Sequence, residues 1–273
     1  MTVVTVLHPG AMGAAVAVQA RRGGARVRWV STGRAEATRQ RAEEAGLDEF
    51  DSVAAALAGT DIVLSICSPA YAEDVARTID GFTGVYVEAN AIAPERTRRI
   101  AALLPRARVA DGGIIGEPPQ RPGTTRMYLS GAADGIPELF AGTDLEVIAL
   151  PGEIGQASAL KLAYASYQKA SRVLAAVAHA AAAEHGGAEQ LRHEADLLRS
   201  FPLADVREFA IVAAKAWRWG PEMQEIADMF GRDGLPEELA FAAGAVLRRW
   251  AQAKDRTDLD TDAALRMLRQ VDV

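Results

Sequence analysis

A single cysteine, Cys67, in 273 residues excludes an internal disulfide. Long hydrophobic runs are also missing. The longest, VLAAVA at 173–178, resumes as AAAA only after His179, short of the roughly 18 residues that would span a bilayer. Positive charge is not in excess: 30 basic residues stand against 36 acidic ones, a net charge of −6. Nothing in that balance draws the chain towards nucleic acid or an anionic membrane. An apolar run begins at Val3 with no basic segment before it, which predicts no secretory signal. These absences predict a cytoplasmic protein with neither nucleic acid nor membrane as a partner, and no metal site is expected.

A hydrophobic fraction of 49% against 24% charged residues gives ample material for a core. Up to residue 150, short β-rich runs alternate with helical patterns. The runs are VVTVL (3–7), RVRWV (26–30), DIVLSI (61–66), GVYVE (84–88), RVAD (108–111), RMYLSG (126–131) and LEVIAL (145–150). Helical patterns at 12–21, 35–45, 52–58, 71–79 and 94–104 separate most of them. This rhythm predicts right-handed βαβ units and a largely parallel sheet covered on both faces, with the last two strands free to pair differently. After Pro151 Ala, Leu, Glu and Arg dominate, and the pattern is helical to the end. The predicted fold class is therefore α/β: a Rossmann-type domain over 1–151, joined through a long helix to an all-α domain over 152–273.

The first strand runs into HPGAMG (8–13) and then into an alanine-rich helix. A dinucleotide fingerprint, G-x-G-x-x-G, occupies the same setting. Gly10 and Gly13 take its second and third places, for backbone approach to a pyrophosphate and for close helix packing. His8 replaces only the turn-making glycine, where another residue can serve. Ala11 and Met12 open the helix, whose free N–H groups and dipole suit a phosphate.

The second strand is followed by Ser31, Thr32, Gly33 and Arg34, with no acid before Glu36. NAD-binding folds place an Asp or Glu near here to hold the ribose hydroxyls. Two hydroxyls, a glycine and a guanidinium fork instead suit a 2′-phosphate, which points to NADP(H). Arg39 and Arg41 read as a solvated helix face.

Several segments now line up in order: the G-x-M-G turn at Gly10–Gly13, SICSPA (65–70), VEANAIAP (87–94), DGGIIGEPP (111–119) and GEIGQASALKLAYAS (152–166). In these the chain resembles the β-hydroxyacid dehydrogenase and 6-phosphogluconate dehydrogenase-like superfamily, imine reductases included. AWRWGPEMQEIADMF (216–230) resembles a variant C-terminal domain of that group. The resemblance implies that Cys67, Ser68 and Pro69 line the adenosine side of the cofactor and that Asn90 helps place the nicotinamide. On its own, Cys67 reads as a small apolar side chain rather than a redox group.

The resemblance also implies a catalytic role for Lys161, six residues after Gly155, as proton donor or acceptor at the substrate oxygen. A lysine in a cleft is suited to this, because desolvation brings its pKa towards neutrality. Gln168 lies on the same helical face. Three departures bear on the substrate. Ala165 stands where the family has asparagine, Ile115 replaces the serine of the segment ending at Gly116, and Pro221-Glu222 replaces a Lys-Asp pair. An apolar Ile115 with Tyr164, Trp219 and Met223 suggests a bulkier, less charged substrate, although the aromatics could equally be core packing.

The expected function is NADP(H)-dependent hydride transfer at a C=O/CH–OH carbon, with imine reduction as the alternative and NADPH binding without turnover as a second one. Leu160, Leu162, Val173, Leu174 and Val177 leave the long helix no clean polar face. Together with the resemblance, this predicts a homodimer in which Trp219, Glu222 and Met223 reach the partner's cleft.

Overall fold

The computed structural model describes residues 1–198 and 205–269. The chain divides into two compact units, Met1–Lys161 and Leu162–Val273.

In the first unit eight strands form one sheet: β1 (Val3–Val6), β2 (Arg26–Val30), β3 (Asp48–Phe50), β4 (Ile62–Ser65), β5 (Val85–Glu88), β6 (Arg108–Ile115), β7 (Thr125–Gly131) and β8 (Leu145–Ala149). Their spatial order is β3-β2-β1-β4-β5-β6-β7-β8. The strands from β3 across to β6 pair in parallel. They are linked through α1 (Ala11–Arg22), α2 (Glu36–Glu44), α3 (Val53–Leu57), α4 (Ala72–Arg77) and α5 (Pro94–Leu103). β4 and β5 are buried at every residue, as strands covered on both faces must be. Successive residues feed opposite layers: Leu64, Val85 and Val87 pack with Val16 and Ala17 of α1, whereas Val63 and Tyr86 pack with Val75, Ile79 and Ile100. Because β2 and β4 flank β1, the crossovers diverge at β1, the place where open α/β sheets bind ligands beyond the carboxyl ends of their strands.

The expected strands are all present, with two differences. β3, of sequence DEF, is an added edge strand that two acidic residues and a length of three conceal. β6 continues through Gly112, Gly113, Ile114 and Ile115 instead of stopping at Asp111. β7 runs antiparallel to β6, and β8 parallel to β7. Residues 116–124, with two prolines in succession and Gly123, join β6 to β7 without a helix, and so short a link returns the chain in the opposite direction. A four-residue helix, α6 (Ile136–Leu139), precedes β8.

The unit is closed by the start of α7 (Gln156–Glu184). Asp111, fully buried in β6, accepts four hydrogen bonds there. Its Oδ2 takes the amides of Gly155 (2.9 Å) and Ser158 (3.0 Å) and the Ser130 hydroxyl (3.0 Å), and its Oδ1 takes the Ser158 hydroxyl (2.7 Å). The Ser130 oxygen accepts the Ala157 amide, and Thr97 of α5 meets the Ser158 hydroxyl at 3.2 Å. A helix N-terminus leaves its first amides unpaired and carries partial positive charge, and a carboxylate answers both. Gly155, at φ +112°, makes the turn into the helix; a Cβ there would collide with the Arg98 guanidinium.

The second unit comprises the rest of α7 with α8 (Ala188–Leu198), α9 (Glu208–Arg232), α10 (Glu238–Arg248) and α11 (Thr261–Met267). No strand occurs among its described residues. α9 buries Phe209, Val212, Ala216, Met223 and Ile226 along one face, and Trp250, fully buried, donates to the Ala264 carbonyl at 2.8 Å. The side chain of Val177 lies outside the described ones.

Asp111→Ala leaves two buried amides and two hydroxyls without their acceptor. At about 1.5–3 kcal/mol for each hydrogen bond to a charged group, a loss of about 4 kcal/mol or more is expected in urea unfolding. A loss under about 1 kcal/mol would show that something else holds the start of α7.

Candidate functional site

The turn after β1 is closed by the backbone alone, the Gly10 amide donating to the His8 carbonyl at 2.8 Å. The two glycines of the turn have different reasons to be there. A Cβ on Gly13 would collide with the His8 carbonyl oxygen, so Gly13 lets α1 pack against the strand end. A Cβ on Gly10 would meet nothing within 4 Å, so the fold does not require glycine there, and approach of a ligand to the backbone can. Gly10 is the N-cap of α1 and offers no side-chain cap. The first amides of α1, next to exposed Ala11 and half-buried Met12, suit a phosphate.

At the end of β2 the hydroxyls are already committed: Ser31 donates to the Phe50 carbonyl at 3.3 Å and Thr32 to that of Asp51. Gly33 has φ +74°, a left-handed conformation that favours glycine. Arg34 folds back and donates from Nη2 to the Leu7 carbonyl at 3.2 Å. Arg39 donates to the Ser31 carbonyl at 2.9 Å, and Arg41 to the Pro9 carbonyl at 3.5 Å. Neither is part of a purely solvated face: both guanidiniums gather on the same strand ends as Arg34. His8 stands beside them, and burial together with the charge of Arg34 pushes its imidazole down to about 4. It is neutral at physiological pH.

Beyond β4 and β5 lies a buried polar network. Asn90, 3% exposed, accepts the Cys67 amide at Oδ1 and donates from Nδ2 to the Ser65 hydroxyl at 3.1 Å. Its own amide donates to Glu88 Oε1 (3.1 Å), while the Tyr86 hydroxyl donates to Glu88 Oε2 (3.1 Å). Glu88 escapes a sequence reading because it ends an otherwise apolar run; an acid inside a strand buried on both faces was the available signal. Burial pushes its carboxyl up to about 8, against the hydrogen bonds from Asn90 and Tyr86. Burial and the neighbouring Glu88 push the Cys67 thiol up to about 12; it stays protonated, consistent with a non-redox role. Ser68 is exposed and Pro69 half-buried at the start of a 3₁₀ turn leading into α4.

Lys161 lies in the second turn of α7, above β6. A Cβ on Gly113 would approach Ala157 O to 2.6 Å and Lys161 Cβ to 3.0 Å, while one on Gly112 would reach Ala89 Cβ at 3.0 Å. The two glycines thus let α7 and the Ala89-Asn90 segment close on β6 from its two sides. Ile115 is buried at the end of β6 beside Arg126, and Gly116 makes the turn at φ +123°.

The remaining candidates belong to the helical unit. Glu222 pairs with Lys169 at 2.7 Å, and the Lys169 ammonium lies 5.4 Å from the centre of the Trp219 ring. Lys169 is 3% exposed and was not singled out by sequence, having no motif around it. Met223 is packed in the helical core at 1% exposure, whereas Tyr164 is exposed and Gln168 half-buried. Among the described residues no cluster of three His, Cys, Asp or Glu side chains could hold a metal ion, and no helix is long and apolar enough to cross a membrane.

Glu88 makes stability depend on pH. The folded chain keeps its proton up to about pH 8, whereas the unfolded chain releases it near 4.5. Across that window the folded state binds more protons, so stability falls as pH rises and levels off above it. Glu88→Gln removes the titrating group. The variant should gain on the wild type between pH 5 and pH 8, by at most about 1.4 kcal/mol per pH unit. Chemical denaturation at both pH values checks this, and an equal difference at each would show that Glu88 does not titrate on folding.

Comparison with known proteins follows the same lines. Residues 182–250 match a family described as a domain of unknown function, DUF1932. An uncharacterised 28.5 kDa protein of Methanothermus fervidus is 30% identical over 141 residues; the match spans 50% of this chain and about half (54%) of that relative. A 3-hydroxyisobutyrate dehydrogenase from Salmonella typhimurium superposes with TM-score 0.72 at 16% identity, covering 98% of this chain and 100% of the other. A reductive aminase from Aspergillus terreus, solved with NADPH and ethyl levulinate, gives 0.59 at 19% identity over 97% and 99%. The chain shares the fold of these dehydrogenase and reductive aminase structures.

Proposed function

We propose that the chain is an NADP(H)-dependent oxidoreductase. It moves hydride between the nicotinamide and a C=O/CH–OH carbon of a small, relatively apolar substrate, with Lys161 as general acid/base. The observation that carries this reading is the attachment of α7 to β6. Asp111 fixes the helix start and Gly113 lets it close in, so that Lys161 stands on a rigid element next to the strand ends. Residues 1–151 serve the cofactor, and 152–273 serve substrate and dimer contacts.

The residues present fit the cofactor. Gly10 leaves open space for a pyrophosphate at the N-terminus of α1. Arg34, with Arg41 nearby and no acid between Ser31 and Arg34, suits a 2′-phosphate. Asn90, held on three sides, can position the carboxamide end. A bound nicotinamide would supply or take the hydride. Lys161 gives its proton to the substrate oxygen as the carbonyl becomes an alcohol, and takes it back in the reverse direction. One observation favours a second reading, imine reduction: Ile115 is apolar and buried where the family has a serine, so a grip on substrate carboxylate is lost, and the reductive aminase shares the fold.

Lys161→Met keeps the stem of the side chain and removes the proton carrier. NADPH affinity should survive while reduction of ketones or aldehydes falls by about 10²- to 10⁴-fold. Undiminished turnover overturns the acid/base role and shifts the balance to imine chemistry.

The protein works as a homodimer. Along α7, Leu160, Tyr164, Tyr167 and Leu174 are exposed at 38%, 42%, 72% and 69%, and their spacings of four, three and seven residues line them along one stripe. A second copy of the helix suits this stripe. Sedimentation at micromolar concentration should give twice the chain mass of 29.0 kDa; a fully active monomer overturns the assignment.

A further inference from the structure

Among the described residues three buried side-chain nitrogens have no hydrogen-bond partner: His8 Nδ1, Arg34 Nε and Arg28 Nε. Arg28 lies inside β2, and its guanidinium is already tied to the carbonyls of Ala56 and Ala58. The other two stand together. β1 and β2 pair with Val6 beside Trp29, so the chain leaves the sheet with His8 and Ser31 at one level. Arg34 then returns to the Leu7 carbonyl, immediately before His8. Buried polar groups are normally paired, so two orphaned nitrogens at one strand end ask for a shared acceptor. The turn itself does not need the imidazole, because it is closed by a backbone bond that any residue at position 8 would supply.

We infer that His8 is a specificity residue for the cofactor: its Nδ1–H and the Arg34 Nε–H together bond the 2′-phosphate of NADP(H). The inference rests on the NADP(H) reading above. A phosphate has several acceptor oxygens and can take both donors at once. The end of β2 is where doubly wound folds hold the ribose 2′ position. Gly33, left-handed and with nothing within 4 Å of a Cβ, leaves the same edge open. Burial and the charge of Arg34 keep the imidazole neutral, its pKa pushed down to about 4. A neutral imidazole carries one N–H, which settles on whichever nitrogen meets an acceptor. The other groups at this pole are the Arg41 guanidinium on the Pro9 carbonyl and the protonated Cys67 thiol, while Glu49 is held by Arg39. Before a phosphate arrives, His8 is therefore a neutral imidazole.

Two substitutions separate the donor from the ring. His8→Phe keeps the ring and loses the N–H. His8→Asn puts an amide nitrogen close to the place of Nδ1. Dissociation constants for NADPH and NADH, measured by fluorescence titration at one ionic strength, give the readout, with NADH reporting the fold and the rest of the cleft. His8→Phe should weaken NADPH binding about ten- to a hundredfold more than NADH binding, and His8→Asn should restore most of the preference. If the wild type does not prefer NADPH, the NADP(H) reading fails and this inference with it. If the wild type prefers NADPH and His8→Phe keeps the full preference, His8 is no phosphate ligand and the cofactor reading stands.

Discussion

The carboxylate of Asp111 meets four donors inside the protein, and much of the first unit depends on that arrangement. Two of the donors are amides at the start of α7, and the others are hydroxyls of β7 and α7, one of which Thr97 of α5 also meets. A buried charge is tolerated only when its acceptor sites are filled, and a helix start is tolerated only when its amides are. Each solves the other's problem. The outcome is a long helix whose first turns are fixed in position to within a hydrogen bond, and six residues after Gly155 that helix carries Lys161. Orientation to this degree is what the role proposed for Lys161 requires, since catalysis by position depends on it.

Polar burial also explains the chemistry at the neighbouring strand ends. Glu88, Asn90, Ser65 and Tyr86 form a connected set at the carboxyl ends of β4 and β5. Such a network is costly if half satisfied and rigid if complete. Here it orients a single amide side chain, Asn90, while burial, with Glu88 adding to it, keeps the adjoining thiol protonated. Arg34 and Arg41 face carbonyl oxygens rather than acids, as the proposed cofactor reading requires.

The alternation of strands and helices was legible because each apolar run is bounded by glycine or a polar turn, and because fully buried parallel strands read as unbroken apolar runs. What escaped did so for local reasons. β3 is three residues long with two acids, and nothing in DEF distinguishes it from a loop. Gly112-Gly113 reads as the end of a strand, yet these residues continue β6 because a helix and a neighbouring strand end must approach it. At the candidate site the glycines and Arg34 could be read from spacing. The commitment of Ser31 and Thr32 to carbonyls at the end of β3, the return of Arg41 to the turn, and the pairing of Glu222 with Lys169 depend on side-chain directions that no local pattern encodes.

The central place of β1 has a consequence for how the chain is made. Val4 pairs on one side with Val27 and on the other with Ile62, so β1 cannot be completed until β4 has followed it from the ribosome. Until then Val4 and Val6, both wholly buried in the finished sheet, present an open edge. Pairings across such sequence separations are slow to form because loop closure comes before any gain. Synthesis delivers residues at about 5–20 per second, so β1 waits for seconds with only β2 beside it. During that time the alanine-rich α1, which packs on the same strands, is the cover that the nascent chain itself can supply.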